Sequence, residues 1–315
     1  MSVNEALDAV YIGLDIGNTR LTAGAALPDG TLLLSEERAA PSGSEAALPV
    51  LLDMARAIAA AVRLEGREPA GVGLGFGGPV DYLRQRTRGS FHSPGWADVP
   101  LAEVFAAELG IPARLDNDAN AGGLAEALFG AGRGRDTVLY VNVGTGIGGA
   151  LVIGGAVHHG ATTSAGEIGH VVLEPCGPPC NCGKRGCLEA LASGSALERL
   201  AREAGLAHAG RAVMAAAERG DAVCGGIVAR AATNLGLAVA NAANLIDPDI
   251  VVLGGGVPAA GEVWWGPLRE SFARYAVADA AAKTLLVRAE LGYEAGVLGA
   301  AALAMPIPGR ERLPT

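Results

Sequence analysis

Asp136-Thr-Val-Leu-Tyr-Val-Asn-Val-Gly144-Thr-Gly-Ile-Gly-Gly-Ala150-Leu-Val-Ile-Gly-Gly155 is the stretch on which the fold turns. Asp136 to Val143 reads as a strand, and Gly144 to Gly149 satisfies G-x-G-x-x-G, with acidic Glu167 about 20 residues on, where a dinucleotide fold keeps its ribose carboxylate. Such a fold requires a helix after the glycines. Ala150 to Ile153 is instead a second apolar run that meets Gly154-Gly155 at once, so the prediction is strand, tight turn, strand.

The same pattern opens the chain. Val10 to Ile16 is apolar, Gly17-Asn18-Thr19 turns, Arg20 to Leu27 resumes, and Pro28-Asp29-Gly30 turns again into Thr31 to Leu34. An antiparallel meander follows. Amides of the first turn can face phosphate, with a hydroxyl from Thr19, a charge from Arg20, and Asp15 to hold Mg²⁺ through water. Taken alone it is an ordinary hairpin turn. Two such units in two halves predict a duplicated architecture with a phosphate pinched between glycine turns.

Between them, Ser44 to Leu64 reads as a helix with Leu48, Leu51, Leu52, Ala55, Ile58, Ala59 and Val62 on one face, Pro49 counting against it unless it falls in the first turn. Gly71 to Asp81, G-V-G-L-G-F-G-G-P-V-D, lets a ligand or a strand approach the backbone closely. Val99 to Leu109 is predicted helical and Ile111 to Leu115 a strand. Asp116-Asn117-Asp118-Ala119-Asn120 then opens a helix over 121–129, with Asp116 or Asp118 as N-cap, or as a general base and hydroxyl clamp. Ser195 to Ala204, Arg211 to Ala217, Gly225 to Leu245 and Gly296 to Ala304 are predicted helices. Ile250 to Leu253 is a buried strand ending in Gly254-Gly255-Gly256, which suits a nucleobase or ribose lying against backbone.

From Gly166 to Glu189 the chain reads G-E-I-G-H-V-V-L-E-P-C-G-P-P-C-N-C-G-K-R-G-C-L-E. Four of the five cysteines lie there, and Cys180, Cys182, Cys187 and His170 form a donor set suited to tetrahedral zinc. Cys180-Asn-Cys182 spacing strains a disulfide. A metal here would fix Glu167 and Glu189, which flank the cluster, as acceptors for a polyhydroxylated ligand.

A net charge of −9 and a pI near 5.1 oppose general nucleic-acid binding, and Arg84 to Arg88 reads as a solvated loop. No basic leader is visible, and the Ala-rich segments read as too short or too interrupted to span a bilayer, so cytoplasm is the expected location.

Taken in order, D-I-G-N-T-R, G-F-G-G-P-V-D, L-D-N-D-A-N-A, G-T-G-I-G-G, E-I-G-H, C-x-C-G-x-x-G-C-L-E and L-G-G-G resemble the ROK family of sugar kinases over about residues 10 to 305. The resemblance implies an α/β, two-lobed, actin-like and hexokinase-like fold of ribonuclease H type, with a cleft between lobes. Residues 1–120 would form a small lobe completed by the C-terminal helix (296–315), and residues 121–295 a large lobe with the zinc loop. It implies Asp118 as catalytic base. Gly78, Asn117, Glu167, His170 and Glu189 would bind sugar, His170 through the nitrogen not on zinc. Asp15, Gly17, Asn18, Thr19, Arg20, Gly144, Thr145 and Gly146 would line the ATP phosphates and Mg²⁺, and Gly254, Gly255 and Gly256 the adenosine. Zn²⁺ would be structural.

The implied reaction is ATP-dependent phosphorylation of a hexose, glucose to glucose 6-phosphate first, with N-acetylmannosamine, N-acetylglucosamine, fructose and allose as other acceptors. A homo-oligomer, dimer or tetramer, and no nucleic-acid or membrane partner are also implied. The chain departs from the family at Asn18 and Arg20, where Gly and Lys are usual, and at His92-Ser93, where an Asn often touches sugar. Cys176 lies outside the cysteine triplet. Rival readings are a sugar-responsive repressor, for which fourteen residues before Asp15 leave too little room, and a non-catalytic sugar sensor.

Overall fold

The computed structural model describes residues 9–90, 93–207, 209–256 and 261–306. In chain order β1 (Val10–Ile16), β2 (Arg20–Ala26) and β3 (Leu32–Ala39) form the meander, followed by α1 (Ser44–Leu64), β4 (Pro69–Phe76), the hairpin β5 (Val80–Asp81) and β6 (Arg86–Thr87), α2 (Leu101–Leu109), β7 (Ala113–Asn117) and α3 (Asp118–Leu128). The second half runs β8 (Thr137–Val143), β9 (Ile147–Ile153), β10 (Ala156–Val157), α4 (Leu188–Ala192), α5 (Gly194–Glu203), α6 (Gly210–Glu218), α7 (Ala222–Ile246) and β11 (Ile250–Gly254). It continues with α8 (Glu262–Tyr275), α9 (Ala278–Lys283) and β12 (Leu285–Arg288), and α10 (Glu294–Ala304) closes the described chain.

One sheet has the order β3-β2-β1-β4-β7 and the other β10-β9-β8-β11-β12. Each places its first strand at the centre, the next two on one side as a meander, and the last two on the other side in parallel. The duplication predicted from two glycine turns is therefore present at the level of whole sheets.

The chain divides into two compact units. Of the described residues, the first comprises those within 9–134, 152–165 and 293–306, and the second those within 135–151 and 166–292. In the first, Ile12, Leu14, Leu51, Met54, Leu74, Phe105 and Leu115 are buried together, and in the second Val141, Leu235, Val239, Leu253, Trp264 and Leu268.

The predicted helix over Ser44 to Leu64 is present despite its proline, and two other expectations are corrected. Pro49 sits in the second turn of α1, where it forfeits an intrahelical bond to Glu45. The glycines of β4 receive a helix: a Cβ on Gly73 would overlap the carbonyl of Ala300 in α10. Because that obstacle is backbone, Gly73→Ala is expected to destabilise the protein by about 3 kcal/mol, measured as a lower urea midpoint at unchanged slope. Finally, α7 is, among the described residues, one helix long and apolar enough to cross a membrane by length and composition. Its Val228, Ala231, Ala232, Leu235 and Val239 are buried in the second unit's core, where α7 packs on α8. The segment from Glu262 to Arg288, α8 with Pro267 inside it, then α9 and β12, was not anticipated.

Candidate active site and metal centre

In the first unit the site grows from the junction of β7 and α3. The strand carries on through Asn117, and Asn117 rather than Asp116 or Asp118 caps the helix, its Oδ1 accepting from Ala119 N at 2.9 Å. Its Nδ2 donates to Gly78 O at 3.1 Å, tying the predicted sugar residues Asn117 and Gly78 together. The half-buried Asp118 also accepts from Ala119 N, through its own Oδ1 at 2.9 Å. Burial, reinforced by the nearby charge of Asp15, pushes the Asp118 carboxyl up to about 7. Asp15 is pushed up to about 6 by burial, against the pull of Arg20.

Gly77 explains the proximity of these groups. A Cβ there would stand 3.5 Å from Asp118 Oδ2 and 3.6 Å from Gly17 Cα, so the aspartate and the first glycine turn border the same small space. The turn itself is closed by Gly17 N donating to Arg20 O at 3.0 Å. Asn18 and Thr19 are exposed at its tip, and Asn18 Oδ1 accepts from Ser90 Oγ at 3.3 Å. Arg20 pairs with Glu37 at 3.3 Å and lies 4.9 Å from the centre of the Tyr293 ring. His92 falls outside the described residues, and Ser93 Oγ accepts from Gly43 N.

Sequence reasoning missed one pair. Asp116 is fully buried, and its Oδ2 lies 2.6 Å from Nε2 of His159. Its Oδ1 accepts from Asn117 N and Asn120 Nδ2, each at 2.8 Å. The i, i+4 spacing of Asp116 and Asn120 was a usable signal; nothing in the sequence pointed to His159.

In the second unit Gly194 N donates to Gly144 O at 2.8 Å and Ser195 N to Thr145 O at 3.2 Å, holding the second glycine turn against the start of α5. Glu189, predicted to face sugar, sends Oε2 to Ile147 N at 2.9 Å, and a Cβ on Gly146 would come within 2.5 Å of that oxygen. A Cβ on Gly254 would meet the Tyr140 ring, and one on Gly255, whose φ is +90°, would strike Val143 O; among the described residues nothing lies within 4 Å of a Cβ on Gly256.

The ligand atoms of His170, Cys180, Cys182 and Cys187 all lie within 4.8 Å of one another. Cys180 Sγ is 3.7 Å from His170 Nδ1, and Cys182 Sγ is 3.6 Å from Cys187 Sγ. A tetrahedral ion with bonds of about 2.3 Å to sulfur needs neighbouring sulfurs about 3.8 Å apart. The donor set therefore fits zinc by chemistry and by size. Nδ1 is on the cysteine side, which leaves Nε2 facing Glu167 at 3.9 Å. Burial pushes the Cys187 thiol up to about 12, a barrier that thiolate coordination would remove. Cys176 is exposed and is not one of these four.

Two sheets of one strand order place the chain in the actin-like class of α/β proteins. The chain belongs to the ROK family, whose pattern it matches over residues 11–306, as the motif order implied. It is 37% identical over 311 residues to a glucokinase of Thermotoga maritima, covering 93% of this chain and 96% of that one. Among solved structures it resembles a ROK hexokinase from Thermus thermophilus, with a TM-score of 0.84, 39% identity and coverage of 94% and 97%. A ROK family glucokinase from Streptomyces griseus in complex with glucose and AMPPNP gives a TM-score of 0.79, 33% identity and coverage of 94% and 99%.

Proposed function

We propose that this chain is an ATP-dependent hexose kinase that converts glucose to glucose 6-phosphate. The supporting observation is the Asp118 carboxylate, raised to about 7 and set beside Asp15 and the Gly17 turn. Phosphoryl transfer asks the protein for positioning and charge neutralisation more than for covalent chemistry. Asp118 takes the proton of the sugar 6-hydroxyl as that oxygen bonds to the terminal phosphorus of ATP and the bond to the ADP oxygen breaks. A base of pKa near 7 is matched to that task at neutral pH.

Gly78, Asn117, Glu167, His170 and Glu189 are assigned to the sugar. Asp15, Gly17, Asn18, Thr19, Arg20 and Gly144 to Gly146 are assigned to the phosphates, and Gly254 to Gly256 to the adenosine. Asp15 is the carboxylate suited to Mg²⁺, which when bound supplies charge neutralisation at the phosphates. Zinc would be held by His170 Nδ1 and the three cysteines, and it supplies a fixed loop. We assign the enzyme to the cytoplasm as a homo-oligomer, dimer or tetramer, with hexose and ATP as its small-molecule partners and no nucleic-acid or membrane partner.

A coupled ADP-release assay over glucose, N-acetylmannosamine, N-acetylglucosamine, fructose and allose tests the assignment. Glucose should give the highest kcat/KM. No turnover with any of them, alongside sugar-released binding to duplex DNA, would replace the kinase by a repressor.

A further inference from the structure

His159 lies outside every assigned role, yet it is joined to the base through few bonds. We propose that His159 is a positioning residue for phosphoryl transfer: bonded to the buried Asp116, it fixes the Asn117–Ala119 backbone from which the Asp118 carboxylate is aimed. The inference rests on the reading of Asp118 as base.

Asp116 is wholly buried and uses both oxygens. Oδ1 receives Asn117 N and Asn120 Nδ2, so it grips the backbone just before Asp118 and the first turn of α3. Oδ2 receives His159 Nε2 at 2.6 Å. A buried polar group needs its hydrogen bonds satisfied, and the short bond to the imidazole gives this carboxyl a second fixed direction.

His159 is itself immobilised. Its ring stacks on Tyr82 with centroids 3.6 Å apart and planes 17° apart. Tyr82 belongs to the turn between β5 and β6, and that turn is fastened to β7 by Gln85, whose amide both donates to Leu115 O at 3.1 Å and accepts from Leu115 N at 2.8 Å. On its other side His159 O accepts from Ala165 N at 3.1 Å, closing the loop that ends two residues before Glu167. One imidazole thus joins the hairpin, the loop leading to a proposed sugar arm, and the segment bearing the base.

A displacement of about 1 Å at a reacting group lowers rate by up to about 10²-fold. His159→Ala should therefore lower kcat about 30-fold while the KM for ATP stays within about twofold. His159→Gln, whose amide nitrogen can occupy the place of Nε2, should return kcat to within about threefold of the parent. Amide hydrogen exchange at Asn117 and Ala119 should quicken about tenfold in the Ala variant and not in the Gln variant. Unchanged kcat in His159→Ala, or a loss matched by lost protection throughout the first unit and not rescued by Gln, overturns the proposal. If the parent phosphorylates none of the sugars tested, the kinase reading fails by itself. The exchange rates then still decide whether His159 holds this backbone, with unchanged rates in the Ala variant counting against it.

Discussion

Asp118→Asn is expected to lower kcat by about 10³-fold, to leave glucose binding measurable by calorimetry, and to raise Tm by about 2–4 °C. The first effect is loss of the base: an amide cannot accept the hydroxyl proton. The second follows because Asn keeps the oxygen that receives Ala119 N, so the start of α3 is preserved. The third comes from the raised carboxyl. Its folded-state pKa of about 7 lies above the ordinary carboxylate value of about 3.9, so the folded protein binds the extra proton between those values. The stability associated with that proton is fully present below pH about 4 and is lost as pH rises towards 7. At pH 8 the parent holds a charge it disfavours, and the amide does not; a functional site commonly carries such a burden.

Activity runs the opposite way with pH. Below pH about 7 the base is protonated, so log kcat/KM should fall with unit slope between pH 7 and 6 in the parent, before Asp15 titrates near 6, and that limb should be missing from the residual activity of the Asn variant. A variant with a tenth or more of parental kcat would remove Asp118 as base. A parental acid limb centred near 4 would mean that burial does not shift this carboxyl.

The legible parts of the chain were those where a local rule and the tertiary fold agree. Gly144 to Gly149 was readable as a turn between strands because the apolar run after it leaves no room for a helix, although β9 begins at Ile147, three residues earlier than that run. The Cys3His set was readable because ligand chemistry is unusual in composition. The cap of α3 was misread because three consecutive residues, Asp116, Asn117 and Asp118, can all cap. Where β7 ends decides among them, and that is set by its pairing with β4. The glycines of β4 were open to a ligand or a strand on paper; only the folded chain shows that α10, from the far end of the sequence, fills the space. Glu262 to Arg288 was opaque for a different reason. Its short helices mix Pro, charge and aromatic residues, so no single period dominates. The bond from Ile147 N to Glu189 Oε2 was equally hidden, because it spans 42 residues, a distance over which sequence gives no guide.

Removal of zinc should have the widest consequences. The purified protein is expected to carry about one zinc per chain. Chelation, or Cys187→Ser, should raise the KM for glucose about 10- to 100-fold and lower Tm by about 10 °C. Cys187 is fully buried and immediately precedes α4, and the loop's backbone is tied by Leu188 N to Val171 O at 2.9 Å and Cys180 N to Lys184 O at 2.9 Å. These bonds hold the backbone, while the ion would hold the side chains: burial favours the neutral thiol at Cys187, and without an ion nothing draws the four donor groups together. The glucose term rises because His170 and Glu167 lose their fixed separation. The KM for ATP should rise too, by a smaller factor of about three. Glu189 Oε2 supports Ile147 N beside the Gly144–Gly146 turn, and its Oε1 lies 3.9 Å from Cys180 Sγ, so the metal loop and that turn share one carboxylate. Cys176→Ala, outside the ligand set, should change neither KM nor metal content. Fully active protein with no zinc by elemental analysis would reduce the cluster to a set of free thiols and detach the sugar arms from any metal scaffold.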